Sequence, residues 1–309
     1  MVDLSIIICT RDRANSLDGT LRSIAAIRSE RSWEAIILDN GSTDDTAAVI
    51  RAADDCGGRL RYAFEPQPGL GAARDTAWRL AQGRICAFSD DDCYLDPGYV
   101  DAVCAAFDDY PDAGCIGGRI LLHDPDDAPI TIDERTEPFE YPAQRFFSIG
   151  GLQGANMAFR TEVLREIGGF DRAMGAGTVF PSEDIDVIAG SIWAGHPARF
   201  DPRPVVRHHH GRRGASAIKA IEGYDRGRGS YLAKYSLRPD TRLVYLKHWL
   251  TQPWYNPFST RDGVEREIAT ARAYLKHRGA RGFAFLMEGF FAALRLSAAL
   301  AVWHRGKPR

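Results

Sequence analysis

Three consecutive carboxylates, Asp90, Asp91 and Asp92, follow the apolar run 85–88 after a single serine, Ser89. Like charges packed this closely repel one another unless a divalent cation or a hydroxyl-rich ligand shares the site. Because side chains alternate along an extended segment, Asp90 and Asp92 are expected to point one way and Asp91 the other. This pattern predicts a metal ion on one face and a ligand hydroxyl on the other. A solvated acidic turn is the alternative interpretation.

A histidine run further along the chain could supply complementary ligands. His208, His209 and His210 follow a predicted strand, and His208 and His210 share a face of the extended chain. Mn²⁺ accepts an imidazole as well as oxygen ligands, so one Asp and one His could hold it together with phosphate oxygens. The alternative is a plain basic patch, because arginines flank the run.

A pair of acidic residues, Glu183 and Asp184, stands in the first turn of a predicted helix that Ser182 would cap. Either carboxylate could act as a general base toward an attacking hydroxyl. Acidic residues also favour a helix N-terminus through the helix dipole alone. Both interpretations stay open on these residues.

The stretch GLGAAR, residues 69–74, begins like a dinucleotide-binding loop. It lacks the third glycine and follows the third predicted strand instead of the first. We therefore interpret Gly69 and Gly71 as a flexible loop and Arg74 as a candidate diphosphate contact.

Alternating apolar runs and helical patterns must position these residues. Strands are predicted at 4–9, 34–38, 60–64 and 85–89, with intervening helices at 14–27, up to residue 52, and at 72–81. This order indicates βαβ units and an α/β fold with a parallel sheet. Ligands of such sheets bind at the carboxyl ends of the strands. Residues 10–12, 39–42 and 90–92 should therefore lie along one rim.

Composition limits the class of protein. The chain has 309 residues, of which 45% are hydrophobic, and can form one large domain or two smaller ones. A net charge of −2 argues against a mainly electrostatic nucleic-acid binder. Six cysteines without a Cys-x-x-Cys pair indicate neither a zinc ribbon nor a redox motif. The first apolar run is too short for a signal peptide, so a cytoplasmic location is expected.

The C-terminal third has a different character. Beyond residue 214 the chain is mostly helical in pattern and rich in aromatic residues, so we predict a catalytic domain at 1–214 and a helical extension at 215–309. Residues 283–303 are apolar over the length of a bilayer span, but Glu288 and Arg295 interrupt them. An amphipathic helix on a membrane surface and a helix packed against the core both explain this segment.

Seven motifs in order resemble the family 2 glycosyltransferases of the GT-A fold, over about residues 3–211: SIIICTRDR, LDNGSTDDT, GLGAARDTAW, FSDDDCYLDPG, GANMAFRTEVLREIGGFD, SEDIDV and VVRHHHG. The resemblance implies an α/β fold with a Rossmann-like mixed sheet flanked by helices and a helical C-terminal extension. It also implies a nucleotide-diphosphate sugar as donor, with uridine the commonest base. The acceptor would be a glycan or a lipid-linked hydroxyl at the inner face of the cell membrane, and Mn²⁺ or Mg²⁺ the cofactor.

The resemblance also implies roles for individual residues. For the nucleotide these are Thr10, Arg11, Asp12, Asp39, Gly41, Ser42, Arg74, Asp90 and Asp91. For the metal they are Asp92 and His208, with His210 as the alternative ligand. For catalysis they are Asp184 as the base and Glu183 as its neighbour that positions the acceptor. For the donor sugar and the acceptor they are Gln153, Gly154 and Asn156.

The implied reaction is a direct displacement at the anomeric carbon with inversion. The sequence lacks the Gln-x-x-Arg-Trp element of processive synthases after Asp184, which predicts transfer of a single sugar. Asp75 stands where many relatives carry Asn, which is a departure from the family pattern. A phosphohydrolase or nucleotidyltransferase that uses the Asp triplet, and a non-catalytic sugar-nucleotide-binding module, are the competing hypotheses.

Overall fold

A computed structural model describes residues 2–255 and 260–279. The strands are β1 Val2–Thr10, β2 Trp33–Asp39, β3 Leu60–Phe64, β4 Gly83–Asp90, β5 Cys93–Leu95, β6 Cys115–Leu122, β7 Phe139–Tyr141, β8 Asn156–Arg160 and β9 Ala198–His208. The helices are α1 Asp18–Ala25, α2 Thr46–Ala52, α3 Leu70–Leu80, α4 Tyr99–Asp109, α5 Thr161–Ile167, α6 Glu183–Trp193, α7 Ala215–Leu237, α8 Arg242–Tyr255 and α9 Arg261–His277.

Within the described residues, all the strands belong to one sheet, in the order β3-β2-β1-β4-β8-β6-β9-β5, and β7 pairs with β9 outside this path. The first four strands of this order are parallel, as the βαβ pattern predicts. β8 is antiparallel to both β4 and β6, and β5 is antiparallel to β9. The α/β fold with a mixed sheet is thus confirmed: the parallel pairing expected from local pattern holds for β1 to β4, and β6 and β9 form a further parallel pair.

Alternating side chains of β1 show how the sheet is covered. Leu4, Ile6 and Ile8 belong to one buried cluster with Leu21 of α1 and Val103 of α4. On β4, the ring of Phe88 packs edge-on against two further aromatic rings, those of Phe159 and Phe170. Because these central strands are buried and parallel, the ends of β1, β2 and β4 lie along one rim of the sheet.

Two helices begin at residues that differ from the prediction. The helix expected from Ala14 begins only at Asp18, because turns occupy the preceding residues. α3 begins at Leu70, so Gly71 lies inside a helix and the interpretation of Gly69 and Gly71 as a flexible loop is wrong. A Cβ at Gly71 would collide with the carbonyl oxygens of Asp171 and Met174. Close backbone approach, and not mobility, explains that glycine.

The chain divides into two compact units, Met1–Thr178 with Glu183–Ala217 and Val179–Ser182 with Ile218–Arg309. In the second unit, Glu267 is fully buried and accepts hydrogen bonds from Arg228 and from the indole of Trp249. None of the helices described here is long and apolar enough to cross a membrane. The segment 283–303 lies outside the described residues.

Candidate active site

The end of β4 and the end of β9 bring the predicted metal ligands Asp92 and His208 together with Asp90. Carboxylate oxygens of Asp90 and Asp92 and a ring nitrogen of His208 lie within 4.8 Å of one another, with the thiol of Cys93 in the same group. His208 Nε2 is 3.1 Å from Asp92 Oδ1. Adjacent ligands of a six-coordinate ion with bonds of about 2.1 Å stand about 3 Å apart. Asp92 and His208 are therefore spaced as two ligands of one ion would be.

The charges of this cluster affect one another. Burial alone would raise the pKa of Asp92, but its contact with His208 outweighs burial and lowers the pKa. Burial would lower the pKa of His208, and the same contact raises it. Burial raises the pKa of Asp90, opposed by Arg74. The charges of Asp92 and His208 thus offset each other, and the negative charge of Asp90 is offset by Arg74.

Both ring nitrogens of His210 contact protein groups outside this cluster. Its Nδ1 accepts a hydrogen bond from the backbone N–H of Arg212 at 2.9 Å, and its Nε2 lies 3.0 Å from the carbonyl oxygen of Ala128. Because both ring nitrogens have protein partners, the alternative of His210 as the metal ligand is not supported by the geometry. His208 is the histidine that faces the carboxylates.

Asp91 turns away from this cluster. Thr10 donates a hydrogen bond to Asp91 Oδ2 at 2.7 Å. Burial raises the pKa of Asp91 to about 6. The resemblance implies Asp90 beside Asp91 on the nucleoside side, whereas the structure brings Asp90 to Asp92, as side-chain alternation predicts.

Arg13 is a site residue that the sequence analysis missed. Its guanidinium lies 3.5 Å from both Asp91 and Asp92, and so bridges the two parts of the triplet. Its position in the sequence could have indicated this role, because Arg13 follows β1 and β1 lies next to β4 in the sheet. The residues predicted to bind the nucleotide after β1 ended with Asp12, one position before Arg13.

The turns after β1 and β2 form the rest of the nucleotide side. Asp12 Oδ1 accepts a hydrogen bond from the backbone N–H of Thr43 at 2.7 Å, which lowers the pKa of Asp12. The backbone N–H of Asp12 donates to Ser42, and that of Ser42 donates to Asp39. Gly41 lies in the same turn, and the side chain of Arg11 is 44% exposed at the rim. These predicted residues thus form one hydrogen-bonded edge.

Arg74 lies beneath the carboxylates and not on the open rim. Its side chain is 2% exposed and makes ion pairs of 2.9 Å with Asp90 and with Glu183. It also donates to the carbonyl oxygen of Gly154 at 3.0 Å. The structure therefore does not place Arg74 where a diphosphate would reach it. A buried cation that links three segments is the observed arrangement.

Glu183 and Asp184 differ in their surroundings. Burial raises the pKa of Glu183 to about 7, although its partner Arg74 opposes the shift. Asp184 is half-buried, and its Oδ2 accepts a hydrogen bond from the backbone N–H of Gly154 at 2.9 Å. A Cβ at Gly154 would stand 2.7 Å from the Arg74 guanidinium, so this approach requires glycine. Asp184 is thus the more accessible carboxylate, and it is held in a fixed orientation.

The segment before β8 supports this carboxylate. The backbone carbonyl oxygen of Gln153 accepts a hydrogen bond from the backbone N–H of Asn156 at 3.1 Å. The side chain of Asn156 accepts from Tyr99 and donates to the carbonyl oxygens of Arg119 and Pro204. Because the Asn156 amide is buried and used within the protein, it shapes the pocket through its position and not through an exposed group.

Comparisons with known proteins agree with this geometry. A family model described as "Glycosyl transferase family 2" matches residues 5–168, which is more than half of the chain. The succinoglycan biosynthesis protein ExoU of Rhizobium meliloti (strain 1021) is 38% identical over 98 residues, or 31% of this chain. The chain spans only 28% of that relative's length.

Solved structures share the fold. S. aureus TarS residues 1–349 in complex with UDP-GlcNAc matches with a TM-score of 0.62 at 14% identity, over 99% of this chain and 93% of that 1–349 chain. The mannosyltransferase PcManGT from Pyrobaculum calidifontis, in complex with GDP-Man and Mn²⁺, matches with a TM-score of 0.58 at 20% identity, over 98% of this chain and 88% of PcManGT. These structures share the fold, and the family model over residues 5–168 confirms the family resemblance stated from the motifs.

Proposed function

Because the chain belongs to glycosyltransferase family 2, we propose that it transfers one sugar, with inversion, from a nucleotide-diphosphate sugar to a hydroxyl acceptor. The observation that carries this proposal is the proximity of Asp90, Asp92 and His208 at the end of β4. Asp184 belongs to the same arrangement through Arg74 and Gly154.

Asp184 is the proposed general base. Its two oxygens accept hydrogen bonds from the backbone N–H groups of Gly154 and Ile185, and each oxygen keeps a second lone pair. Asp184 takes the proton of the acceptor hydroxyl while the acceptor oxygen bonds to the anomeric carbon. The bond from that carbon to the donor phosphate breaks, and its electron pair leaves with the diphosphate. A positioned base is worth ~10²–10⁴-fold in rate.

A divalent metal is proposed at Asp92 and His208, with Asp90 beside them. Two carboxylates and an imidazole suit Mn²⁺, and two carboxylates suit Mg²⁺. When bound, the ion supplies positive charge that stabilises the leaving diphosphate. These residues would hold the ion, while Asp91, which accepts a hydrogen bond from Thr10, would lie on the nucleoside side.

A uridine nucleotide is the proposed donor carrier. TarS, whose structure contains UDP-GlcNAc, and PcManGT, whose structure contains GDP-Man, both share the fold, so uridine and guanosine are the first two bases to test. The proposed acceptor is a glycan or a lipid-linked hydroxyl, and ExoU is named for succinoglycan biosynthesis. We place the reaction in the cytoplasm at the inner membrane face, with residues 283–303 as the membrane contact. Loss of liposome co-sedimentation on deletion of residues 280–309 tests that contact.

The donor test combines thermal stability and product analysis. Ligand binding raises the melting temperature by mass action, so UDP or GDP with Mn²⁺ should raise it and EDTA should abolish the rise. Incubation with the matching nucleotide sugar should release the nucleoside diphosphate. No Mn²⁺-dependent shift with any nucleoside diphosphate would overturn the proposal. Release of inorganic phosphate instead would favour the phosphohydrolase.

A further inference from the structure

Cys93 lies among the side chains proposed to hold the metal. Its Sγ, an oxygen each from Asp90 and Asp92, and a nitrogen of His208 are all within 4.8 Å of one another. Cys93 is the cross-strand partner of His208 in the antiparallel pair of β5 and β9. Opposite residues of such a pair project from the same face of the sheet. The register of the sheet therefore brings the thiol to the carboxylates.

The four potential ligands differ in the ions they prefer. Carboxylates and an imidazole accept Mn²⁺, whereas a thiolate favours a softer ion such as Zn²⁺. Zn²⁺ binds Cys, His and carboxylate ligands, and four protein ligands around it form a closed tetrahedral site. The cluster at the end of β4 contains one such set.

We propose that Asp90, Asp92, Cys93 and His208 can enclose Zn²⁺ as an inhibitory ion that excludes the nucleotide. The proposal rests on the proposed function, since it uses the same carboxylates and imidazole. On binding, the Cys93 thiol gives its proton to solvent and a sulfur–zinc bond replaces the sulfur–hydrogen bond, with no change of oxidation state. A filled tetrahedral shell leaves no position for a phosphate oxygen.

Asp90 is the most exposed of the four side chains, and two arginines lie near the cluster. Cys93 is fully buried and His208 is 2% exposed, so the ion must enter past Asp90, whose side chain is 30% exposed. Two carboxylates and a thiolate around a divalent ion leave a net negative charge. Arg74, 2.9 Å from Asp90, and Arg13, 3.5 Å from Asp92, lie in position to offset it.

Co²⁺ reports thiolate ligation directly, because a cobalt–thiolate bond gives a charge-transfer absorption in the near ultraviolet. The full chain titrated with Co²⁺ alone should show this band. Cys93→Ser should lose it, whereas Cys9→Ser should keep it. Cys9 is the matched control, since it is the cross-strand neighbour of Asp90 but is not in the ligand group. Calorimetry should show Zn²⁺ binding at least about tenfold weaker in Cys93→Ser.

Absence of the band in the wild type, or its persistence in Cys93→Ser, would overturn the proposal. If Cys93→Ser does not fold, X-ray absorption of the zinc-loaded wild type decides. A sulfur neighbour at about 2.3 Å supports the inference, and a shell of only nitrogen and oxygen overturns it. Mn²⁺-dependent binding of UDP or GDP by the wild type is measured separately. If it persists without sulfur ligation, only the thiol inference fails; if it is absent while sulfur ligation is seen, the proposed function fails.

Discussion

The guanidinium of Arg74 lies 2.9 Å from the carboxylate of Glu183, and both side chains are almost completely buried. The same guanidinium contacts Asp90 and the carbonyl oxygen of Gly154, whose N–H holds Asp184. One buried cation therefore joins the proposed metal ligands to the proposed base. The spacing between these two parts of the site depends on Arg74.

Replacement of Arg74 tests this dependence. Arg74→Met removes the charge and leaves Glu183 buried without its cation, which should lower the free energy of unfolding by about 3–5 kcal/mol in urea denaturation. Arg79→Met is the matched control on the same helix, because the Arg79 side chain is 52% exposed in its ion pair with Asp75. Its effect should stay below about 1 kcal/mol. Equal urea midpoints for Arg74→Met and the wild type would contradict the linking role.

Asp184→Asn tests the proposed base. Asparagine can still accept the hydrogen bond from Gly154 through its oxygen, but its NH2 group cannot accept the one from Ile185 and the side chain cannot take a proton. Turnover of the donor should fall by ~10²–10⁴-fold, whereas Mn²⁺-dependent nucleotide binding measured by calorimetry should be retained. Near-normal turnover in this variant would eliminate Asp184 as the base. Loss of nucleotide binding would show instead that the substitution disturbs the pocket.

The two histidines that share a face make a matched pair for the metal. His208→Ala should weaken Mn²⁺-dependent binding of nucleoside diphosphate by more than about tenfold, because His208 Nε2 faces Asp92. His210→Ala should leave that binding intact, because both nitrogens of His210 have partners outside the cluster. Calorimetry with and without Mn²⁺ measures both. The reverse pattern would make His210 the ligand.

The surroundings of Glu65 predict how the free energy of unfolding depends on pH. Burial would raise the pKa of Glu65, but hydrogen bonds from Thr76, Arg172 and the backbone N–H of Gln67 outweigh it and lower the pKa from 4.5. A carboxylate with a lowered pKa stabilises the fold above its unfolded pKa and loses that contribution as the pH falls through its folded pKa.

Glu65→Gln should therefore be less stable than the wild type at pH 7, and the difference should shrink towards pH 3. Urea denaturation at several pH values measures the difference. A difference that stays constant with pH would show that the ionisation of Glu65 does not contribute.

Local pattern was enough to predict the first half of the sheet. Strands β1, β2 and β4 are mostly buried apolar runs, and the strand predicted at 60–64 has the bounds of β3, which is only partly buried. The pairing of β8 and β9 could not be predicted, because the antiparallel contacts of β8 with β4 and β6 and the parallel contact of β9 with β6 join residues distant in sequence. The start of α3 was missed because Gly69 and Gly71 resemble a loop, while the close backbone of Met174 is a tertiary feature.

The candidate site was likewise predictable only in part from local sequence pattern. Strand alternation was enough to separate Asp91 from Asp90 and Asp92. The pairing of Asp92 with His208 came from the family resemblance alone, since the register of β9 is not visible in either motif. Arg74 was predicted as a diphosphate contact, and its burial could not be predicted because its partner Glu183 lies in a helix distant in sequence.

The register of β5 on β9 also bears on how the protein folds. Cys93 and His208 face each other across roughly a hundred residues of intervening chain, and β9 lies between β6 and β5. The closure of so long a loop is slow, and contacts of this range form after local ones. During synthesis, β1 to β4 can associate on their own, but the ligand set is complete only after the ribosome has released β9. A chain halted before that strand would carry the acidic triplet without its histidine.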